Sequence, residues 1–146
     1  MLELNFTIKG DPQGKGRPKF FKGHAVTPKQ TRTYESLIRY EASHAVDHMV
    51  EQPDFTAPCA VRIKAYYAIP DSYSKKKRAL IAQKGTMGIR PGKPDIDNVI
   101  KSVLDGMNGI VFRDDVQVVR LSAEKFWCEG NDVPHVDVRV RWGEED

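Results

Sequence analysis

The stretch that decides how this chain folds runs from Lys93 to Asp115 and reads KPDIDNVIKSVLDGMNGIVFRDD. Pro94 ends the preceding segment, and Asp95 stands where a helix N-cap belongs. Apolar residues then recur at the spacing of one helix face: Ile96, Val99, Ile100, Val103, Leu104 and Met107. The pattern predicts an amphipathic helix whose far end is marked by Gly106 and Gly109.

The polar side of this helix carries a candidate chemical site. Asp97, Lys101 and Asp105 follow one another four residues apart, so their side chains project to one side. Asp95 lies outside the helix as its cap, and its carboxylate can turn toward that of Asp97. A short return of the chain after the helix could bring Asp114 or Asp115 to the same place.

Two interpretations fit these acidic residues. Clustered carboxylates beside a lysine suit a hard divalent cation such as Mg²⁺, which binds oxygen ligands and can activate water on a phosphate substrate. Alternatively, acids at a helix N-terminus cap free N–H groups and oppose the helix dipole, and Asp-Asp before a strand is ordinary turn chemistry. The spacing alone favours neither interpretation.

The composition predicts one soluble globular domain over residues 1–146, because 40% of the residues are hydrophobic and 29% charged. We expect a cytoplasmic protein, since no apolar run approaches a membrane span and the start, MLELNF, lacks a signal-peptide layout.

Two distant cysteines and four scattered histidines give little support for zinc. The net charge is only +3, but the acids gather at 95–97, 114–115 and 144–146, apart from the bases, as an acidic metal site in a basic surface requires.

The remaining elements follow from periodicity. Alternating residues predict strands at Leu2–Ile8, Val61–Ile69, Val116–Trp127 and Pro134–Trp142, and helical spacing predicts helices from Thr27 to Val50 and from Ser74 to about Ala82. With the helix after Asp95, these give an α+β fold: a single domain with a mixed β-sheet of about four strands packed with about three helices. The last two strands are predicted to pair as a hairpin.

Basic residues in four segments are candidates for contacts with DNA phosphates. They are Lys15, Arg17 and Lys19 near a glycine-bearing loop, Lys29 and Arg32 in the first turn of a helix, Lys75, Lys76, Lys77 and Arg78 in another, and Lys93 before the acidic pair. A solvated loop or helix face is the alternative for each segment. The glycines at 14 and 16 do not have nucleotide-loop spacing, so no nucleotide cofactor is expected.

A family resemblance rests on the linked acidic motifs. Asp95-x-Asp97-Asn98, Lys101, Asp105 and the run Asp114-Asp115-x-Gln117-Val118 together resemble the RusA family of Holliday junction resolvases. The similarity is strongest from Pro94 to Val119 and weaker in the segments 14–19 and 27–28.

The resemblance implies a small, homodimeric, Mg²⁺-dependent endonuclease of bacterial or phage origin, with Mn²⁺ as a possible substitute. It implies that Asp95, Asp97 and Asp115 bind the metal, that Lys101 is the catalytic lysine, and that four-way DNA junctions are resolved by paired nicks. A metal nuclease acting on other branched DNA and a non-catalytic DNA-binding module remain alternatives. The first strand and the exposed side of the 27–50 helix are candidates for the dimer interface.

Overall fold

A four-stranded sheet forms the centre of the computed structural model, which describes residues 2–15, 19–26 and 29–143, with only the backbone at 19–21 and 24–26. Its strands are β1 (Leu2–Lys9), β4 (Cys59–Tyr67), β5 (Val118–Trp127) and β6 (His135–Trp142), in the order β1-β6-β4-β5. β6 is antiparallel to both of its neighbours, and β5 is parallel to β4. A separate two-stranded hairpin consists of β2 (Lys19–Phe21) and β3 (His24–Val26).

Three helices accompany the sheet: α1 (Lys29–Asp47), α2 (Lys75–Lys84) and α3 (Ile96–Met107). Short 3₁₀ turns follow α2 at Gly85–Met87 and precede β5 at Asp115–Gln117. The predicted α+β fold with a mixed four-stranded sheet and three helices is therefore confirmed. The predicted helix start at Thr27–Pro28 lies outside the described residues.

Alternation along the strands decides which face of the sheet is covered. Every second residue of β4, from Cys59 to Tyr67, is buried, while the residues between them are half-buried. β6 alternates in the same way, and α1 packs against both β1 and α3. The core therefore lies on one face of the sheet, beneath α1 and α3, and contains Ile8, Ile38, Val103 and Val140 with no exposed surface.

Gly106 lies inside α3 at a position where there is no space for a side chain. A Cβ built at this position would stand 2.5 Å from Cγ2 and 2.7 Å from Cβ of Ile38, a fully buried residue of α1. The glycine thus allows α1 and α3 to approach closely. Gly109, with φ of +79°, takes the left-handed conformation just beyond the helix, where glycine is favoured.

The predicted hairpin between the last two strands is wrong, because β4 lies between β5 and β6. β6 pairs with a neighbour on each side and buries every second side chain, which suits an interior position. β5 has one neighbour and is an edge strand that begins at Val118 rather than Val116. A register shift opposite the Cys59–Ala60 step leaves Val119 without a paired residue, and Val119 is 72% exposed.

Candidate active site

The segment that leads into α3 is fastened to the ends of two strands. The hydroxyl of Tyr67, the last residue of β4, donates a hydrogen bond to the carbonyl of Pro94 at 2.8 Å. Near the end of β5, the ammonium of Lys125 donates to the carbonyl of Gly92 at 2.8 Å. Burial raises the pKa of Tyr67 to about 12, so its hydroxyl remains a donor at neutral pH. These two bonds fix where α3 begins.

Two exposed carboxylates lie at that beginning. Asp95 has the backbone conformation of an N-cap, but its side chain makes no capping hydrogen bond. Instead its carboxylate is 3.1 Å from Nζ of Lys93 and is 54% exposed. Oδ1 of Asp97 accepts a hydrogen bond from the backbone N–H of Asn98 at 3.0 Å, and Asp97 is also exposed. The capping interpretation is therefore wrong for the Asp95 side chain, and both carboxylates remain open to a ligand.

Two charged residues on the polar face of α3, Lys101 and Asp105, differ in whether they have a protein partner. Lys101 is exposed, and within the described residues it has no hydrogen bond or ion pair. Asp105 instead accepts a hydrogen bond from Lys15 at 2.5 Å, and Lys15 also lies 3.9 Å from Glu35 of α1. The bond with Asp105 raises the pKa of Lys15. Lys15 thus links the segment after β1 to two helices, and its contact with DNA stays a prediction.

The second acidic motif forms a turn. Oδ2 of Asp114 accepts a hydrogen bond from the backbone N–H of Val116 at 3.3 Å, which caps the 3₁₀ turn before β5. The turn interpretation is confirmed for Asp114. Asp115, the first residue of that turn, is exposed. Of the two adjacent acids, Asp115 is the one whose side chain has no hydrogen bond or ion pair among the described residues.

Gln117, also part of the family motif, anchors this turn from inside. Its Oε1 accepts from the backbone N–H of Arg113 at 2.7 Å. Its Nε2 donates to the carbonyls of Asp54 and Ala57, each at 2.9 Å. The amide is buried, so these bonds satisfy polar atoms that would otherwise be costly to bury. Gln117 holds the loop before β4 against the loop before β5 and so fixes the position of Asp115.

The two acidic motifs lie at opposite ends of β4. Pro94 contacts Tyr67 at one end, whereas Val118, just after the Asp115 turn, pairs with Cys59 at the other. The eight steps along β4 span roughly 26 Å at the rise of a β-strand. Over the described residues, no three His, Cys, Asp or Glu side chains form a group that could hold a metal ion. The expected short return is therefore wrong within one chain, and the metal-binding roles stay predictions.

An open groove of about 820 Å³ lies beside Asp95. Its lining includes the cations Arg90, Lys93 and Lys125, and also Glu124. Burial lowers the pKa of Lys125, while the charge of Asp95 opposes that shift. Lys125 was not among the site residues predicted from the sequence. It stands on the side of β5 that faces the core, where a charged residue is unusual, and this position is the signal that could have identified it. We call this cavity the active-site groove.

The basic segment at 75–78 lies on α2, as predicted, and Ser74 caps the helix by accepting from the backbone N–H of Lys77. Lys75 and Lys76 are exposed. The ammonium of Lys77 lies 4.7 Å from the centroid of the Tyr73 ring, a cation–π contact. Arg78 donates to the carbonyl of Pro70 at 3.0 Å, so its guanidinium is partly used in fixing the loop before the helix.

The remaining candidate DNA contacts divide into exposed and undescribed residues. Lys29 and Arg32 are exposed in the first turn of α1, which contains no acidic residue. Arg17 lies outside the described residues, and only the backbone of Lys19 is described. Their contacts with DNA stay predictions.

The site consists of an exposed acidic pair beside a groove that contains three cations, in an α+β fold with a mixed sheet. This arrangement is suited to cleavage of phosphodiester bonds. The sequence model described as endodeoxyribonuclease RusA matches residues 9–141 of this chain. The chain therefore belongs to the RusA endodeoxyribonuclease family, and the resemblance in the sequence is confirmed. Membership makes it a nuclease of a family that acts on branched DNA and is generally dependent on a divalent metal.

The chain is also similar to a bacterial protein of almost the same length. It is 34% identical over 145 residues to the "Uncharacterized protein YqaN" of Bacillus subtilis (strain 168). The alignment covers 94% of this chain and 95% of that protein, so the likeness extends across the whole fold. Within the described part of the chain, the helices are all too short or too polar to cross a membrane.

Proposed function

We propose that this protein is a magnesium-dependent, structure-selective endodeoxyribonuclease that resolves four-way (Holliday) DNA junctions by paired nicks. The observation that carries the proposal is the placement of Asp95 and Asp97, two exposed carboxylates at the start of α3 beside the active-site groove. Arg90, Lys93 and Lys125 around that groove attract the phosphates of DNA to the acidic pair.

The acidic pair fits a hard divalent cation. Mg²⁺ is commonly held by one or two carboxylates together with substrate phosphates, and Mn²⁺ accepts the same oxygen ligands. Lys93, which contacts Asp95 in this structure, is 85% exposed and can leave without disturbing the core. Asp95 and Asp97 would hold the ion, with Asp115 as a third ligand. When bound, the ion activates water and neutralises charge on the scissile phosphate.

Lys101 supplies the positive charge that the reaction needs near the leaving oxygen. It lies one helical turn after Asp97 on the same side of α3, is exposed, and has no competing partner among the described residues. An ammonium in this position offsets the negative charge that develops in the transition state or orients the attacking water. Lys125 has a different task, because its ammonium is bound to the carbonyl of Gly92. It holds the groove wall in place.

The distance between Asp115 and the acidic pair favours a site shared by two chains. In one chain the length of β4 separates them, so Asp115 cannot reach the Asp95–Asp97 pair of its own chain. A second copy can supply Asp115. This arrangement makes the homodimer a condition for a complete metal site.

The free edge of β5 is the surface that we propose for this dimer. Three large apolar side chains are exposed on or just before β5: Val116 (79%), Val119 (72%) and Leu121 (40%). Exposed edge strands with apolar side chains are normally covered, because they otherwise aggregate. β1, the other edge strand and a candidate from sequence, has no large exposed apolar side chain in its described residues. β5 is therefore the better edge for a partner.

Antiparallel pairing of two β5 strands about a two-fold axis near Leu121 joins the separated ligands. It places Asp115 of each chain beside the Lys125 end of the other, where Asp95 and Asp97 begin α3. Opposite charges also meet there, because acids precede β5 while Lys93 and Lys125 surround its far end. Two complete sites related by a two-fold axis match the two strands that must be nicked in a four-way junction.

A cleavage assay tests this function. Wild-type protein is incubated with a four-way junction, a flap, a fork and plain duplex at one salt concentration, with Mg²⁺, Ca²⁺ or a chelator. We expect paired nicks in the junction with Mg²⁺ only, and binding without cutting in Ca²⁺, which is larger and less demanding in geometry. Asp97→Asn should cut about 100-fold more slowly or worse. Asp47→Asn, which alters an exposed acid at the end of α1, is the matched control.

Three results of the cleavage assay would contradict parts of the proposed function. Undiminished cutting by Asp97→Asn excludes the acidic pair as the metal site. Faster cutting of flap or fork than of the four-way junction replaces junction resolution with another branched substrate. Binding that is the same with every ion, without any cutting, makes the protein a non-catalytic DNA-binding module.

A further inference from the structure

The face of the sheet opposite α1 and α3 carries an excess of positive charge. Its side chains come from alternate residues of all four strands, and they are exposed or half-buried. Its cations are Lys9, Arg62, Lys64, Arg120, Arg139 and Arg141, and its acids are Glu3, Glu124 and Asp137. None of these residues is among the DNA contacts predicted from the sequence.

Two arginines on this face stand directly opposite each other. Arg62 of β4 and Arg139 of β6 are partners in the antiparallel register, with Lys64 the next residue of β4 on the same face. Like charges at directly opposed positions destabilise a sheet. Glu124, whose carboxylate lies 3.8 Å from the guanidinium of Arg62, relieves this repulsion in part, and an external anion near Arg139 would relieve it further.

The acids of the face leave part of this charge uncompensated. Glu3 pairs with Arg141 at 2.5 Å. Asp137 accepts a hydrogen bond from the hydroxyl of Thr7 at 2.6 Å. Among the described residues, Lys64 and Arg139 have no carboxylate within ion-pair distance. Lys64 stands between Asp137 and Glu124 in the register, so these acids partly offset its charge, but neither Lys64 nor Arg139 is held in an ion pair and both can contact an external anion.

A groove of about 320 Å³ lies between these residues, and we call it the sheet-face groove. It is lined by the cations Arg62, Lys64 and Arg139, by the polar side chains of Asn5 and Thr7 and by one acid, Asp137, with Phe6 and Val138 beneath. Cations beside small polar side chains are the groups that contact phosphate oxygens in protein–DNA complexes.

The sheet-face groove lies next to the active-site groove. Glu124 lines the active-site groove, and its carboxylate lies 3.8 Å from the guanidinium of Arg62, which lines the sheet-face groove. A DNA backbone that enters the active site beside Asp95 can therefore cross β5 and β4 toward Arg139. The path is marked by cations at both ends.

We propose that the sheet-face groove binds the phosphate backbone of a DNA arm that leaves the active site. The identity of this ligand rests on the proposed nuclease function, but the binding itself does not require the catalytic residues. A protein partner fits less well, because the groove contains no large exposed apolar side chain, whereas the centre of a protein interface is usually apolar. Phosphates need only the cations that are present.

The test measures binding without cleavage. In an Asp97→Asn background with Ca²⁺, Lys64→Gln/Arg139→Gln is compared with the unaltered groove for a labelled four-way junction over a salt titration. Loss of two phosphate contacts should lower the slope of log affinity against log salt by about 1.8 and reduce affinity about tenfold or more at 0.1 M salt. Arg39→Gln/Lys84→Gln removes two exposed cations outside the groove and should leave the slope nearly unchanged.

A double variant that keeps both positive charges separates the effect of charge from an effect on folding. Lys64→Arg/Arg139→Lys keeps both charges and should retain the slope, while thermal melting shows that each protein is folded. An equal loss in the Arg39/Lys84 control, or no loss in the groove variant, would overturn the proposal. So would a change in sedimentation without a change in DNA affinity, since it would identify the face as a protein interface. If the wild-type protein binds as expected but never cuts, the proposed function fails and the groove assignment stands.

Discussion

Lys101 lies one helical turn after Asp97 and Lys125 lines the groove beside Asp95, but the two lysines differ in their protein contacts. Lys101 is exposed and has no protein partner in the described residues. Lys125 is half-buried, donates to the carbonyl of Gly92 and lies 5.0 Å from the centroid of the Tyr67 ring. The first lysine is placed to act on substrate, and the second to hold the segment that starts α3.

This difference gives a prediction at the level of single residues. Lys101→Met should lower the cleavage rate about 100-fold, while junction affinity measured in Ca²⁺ stays within about threefold, because its partner is transition-state charge. Lys125→Met should weaken both rate and affinity, because it frees the groove wall at Gly92. Single-turnover cleavage and equilibrium binding separate the two effects.

Lys101→Arg is the control that keeps a positive charge and should recover part of the lost rate. A Lys101→Met variant that loses affinity in proportion to its rate would show that Lys101 only binds DNA.

Among the elements, α3 could be predicted from the sequence almost completely. Its apolar spacing located Val99, Val103 and Met107 in the core, because helical period and burial follow from the same local geometry. The use of Asp105 could not be predicted, since its partner Lys15 is distant in sequence.

The pairing of β5 was the main error. Neighbouring strands in sequence are paired more often than not, so the hairpin was the expected arrangement. Alternation tells which side of a strand is buried, but it does not tell which strand lies beside it. The same limit applies to Asp115, whose position depends on the parallel pairing of β5 with β4. Gln117 was visible as a motif residue, but its three buried hydrogen bonds became apparent only in the fold.

The close contact of α1 and α3 yields a prediction about stability. Gly106→Ala should lower the melting temperature, because the new methyl group overlaps Ile38, which has no room to move. Overpacking of this kind costs about 1–3 kcal/mol. The better helix propensity of alanine returns about 1 kcal/mol or less. Thermal or denaturant unfolding measures the net loss.

Three further variants make this measurement specific. Gly92→Ala, where an added Cβ meets nothing within 4 Å, is the control without overlap. Ile38→Ala alone leaves a cavity and costs about 2–5 kcal/mol. In the double variant the new methyl group occupies part of that cavity, so the effects should be less than additive. Strict additivity would mean that Ile38 is not the reason for the glycine.

For the whole molecule, the decisive question is whether each metal site uses one chain or two. Asp97→Asn and Asp115→Asn homodimers should both be inactive. After subunit exchange, a shared site predicts that mixed dimers regain one intact site, with Asp97 from one chain and Asp115 from the other. Such dimers should nick one strand of the junction and leave the other intact. Strand-specific labelling of the junction detects this product.

A site contained within one chain gives the opposite result, because every site in the mixed dimer then carries one altered acid and the mixture stays inactive. Leu121→Asp places a charge at the centre of the proposed β5 interface and should produce monomers that are folded but do not cut. Sedimentation before and after mixing shows whether subunits have exchanged. Active monomers would exclude the shared site.

The interior position of β6 also affects how the protein is made. β6 separates β1 from β4 in the sheet, and Leu2 pairs with Trp142. During translation β4 can pair with β5 first, but β1 has no partner strand until β6 has been synthesised and has left the ribosome. A chain interrupted before β6 has an unpaired first strand and lacks the four buried residues that β6 contributes to the core. We therefore expect the four-stranded sheet to be completed only after the last strand has been synthesised, so that β1 joins the fold last although it is made first.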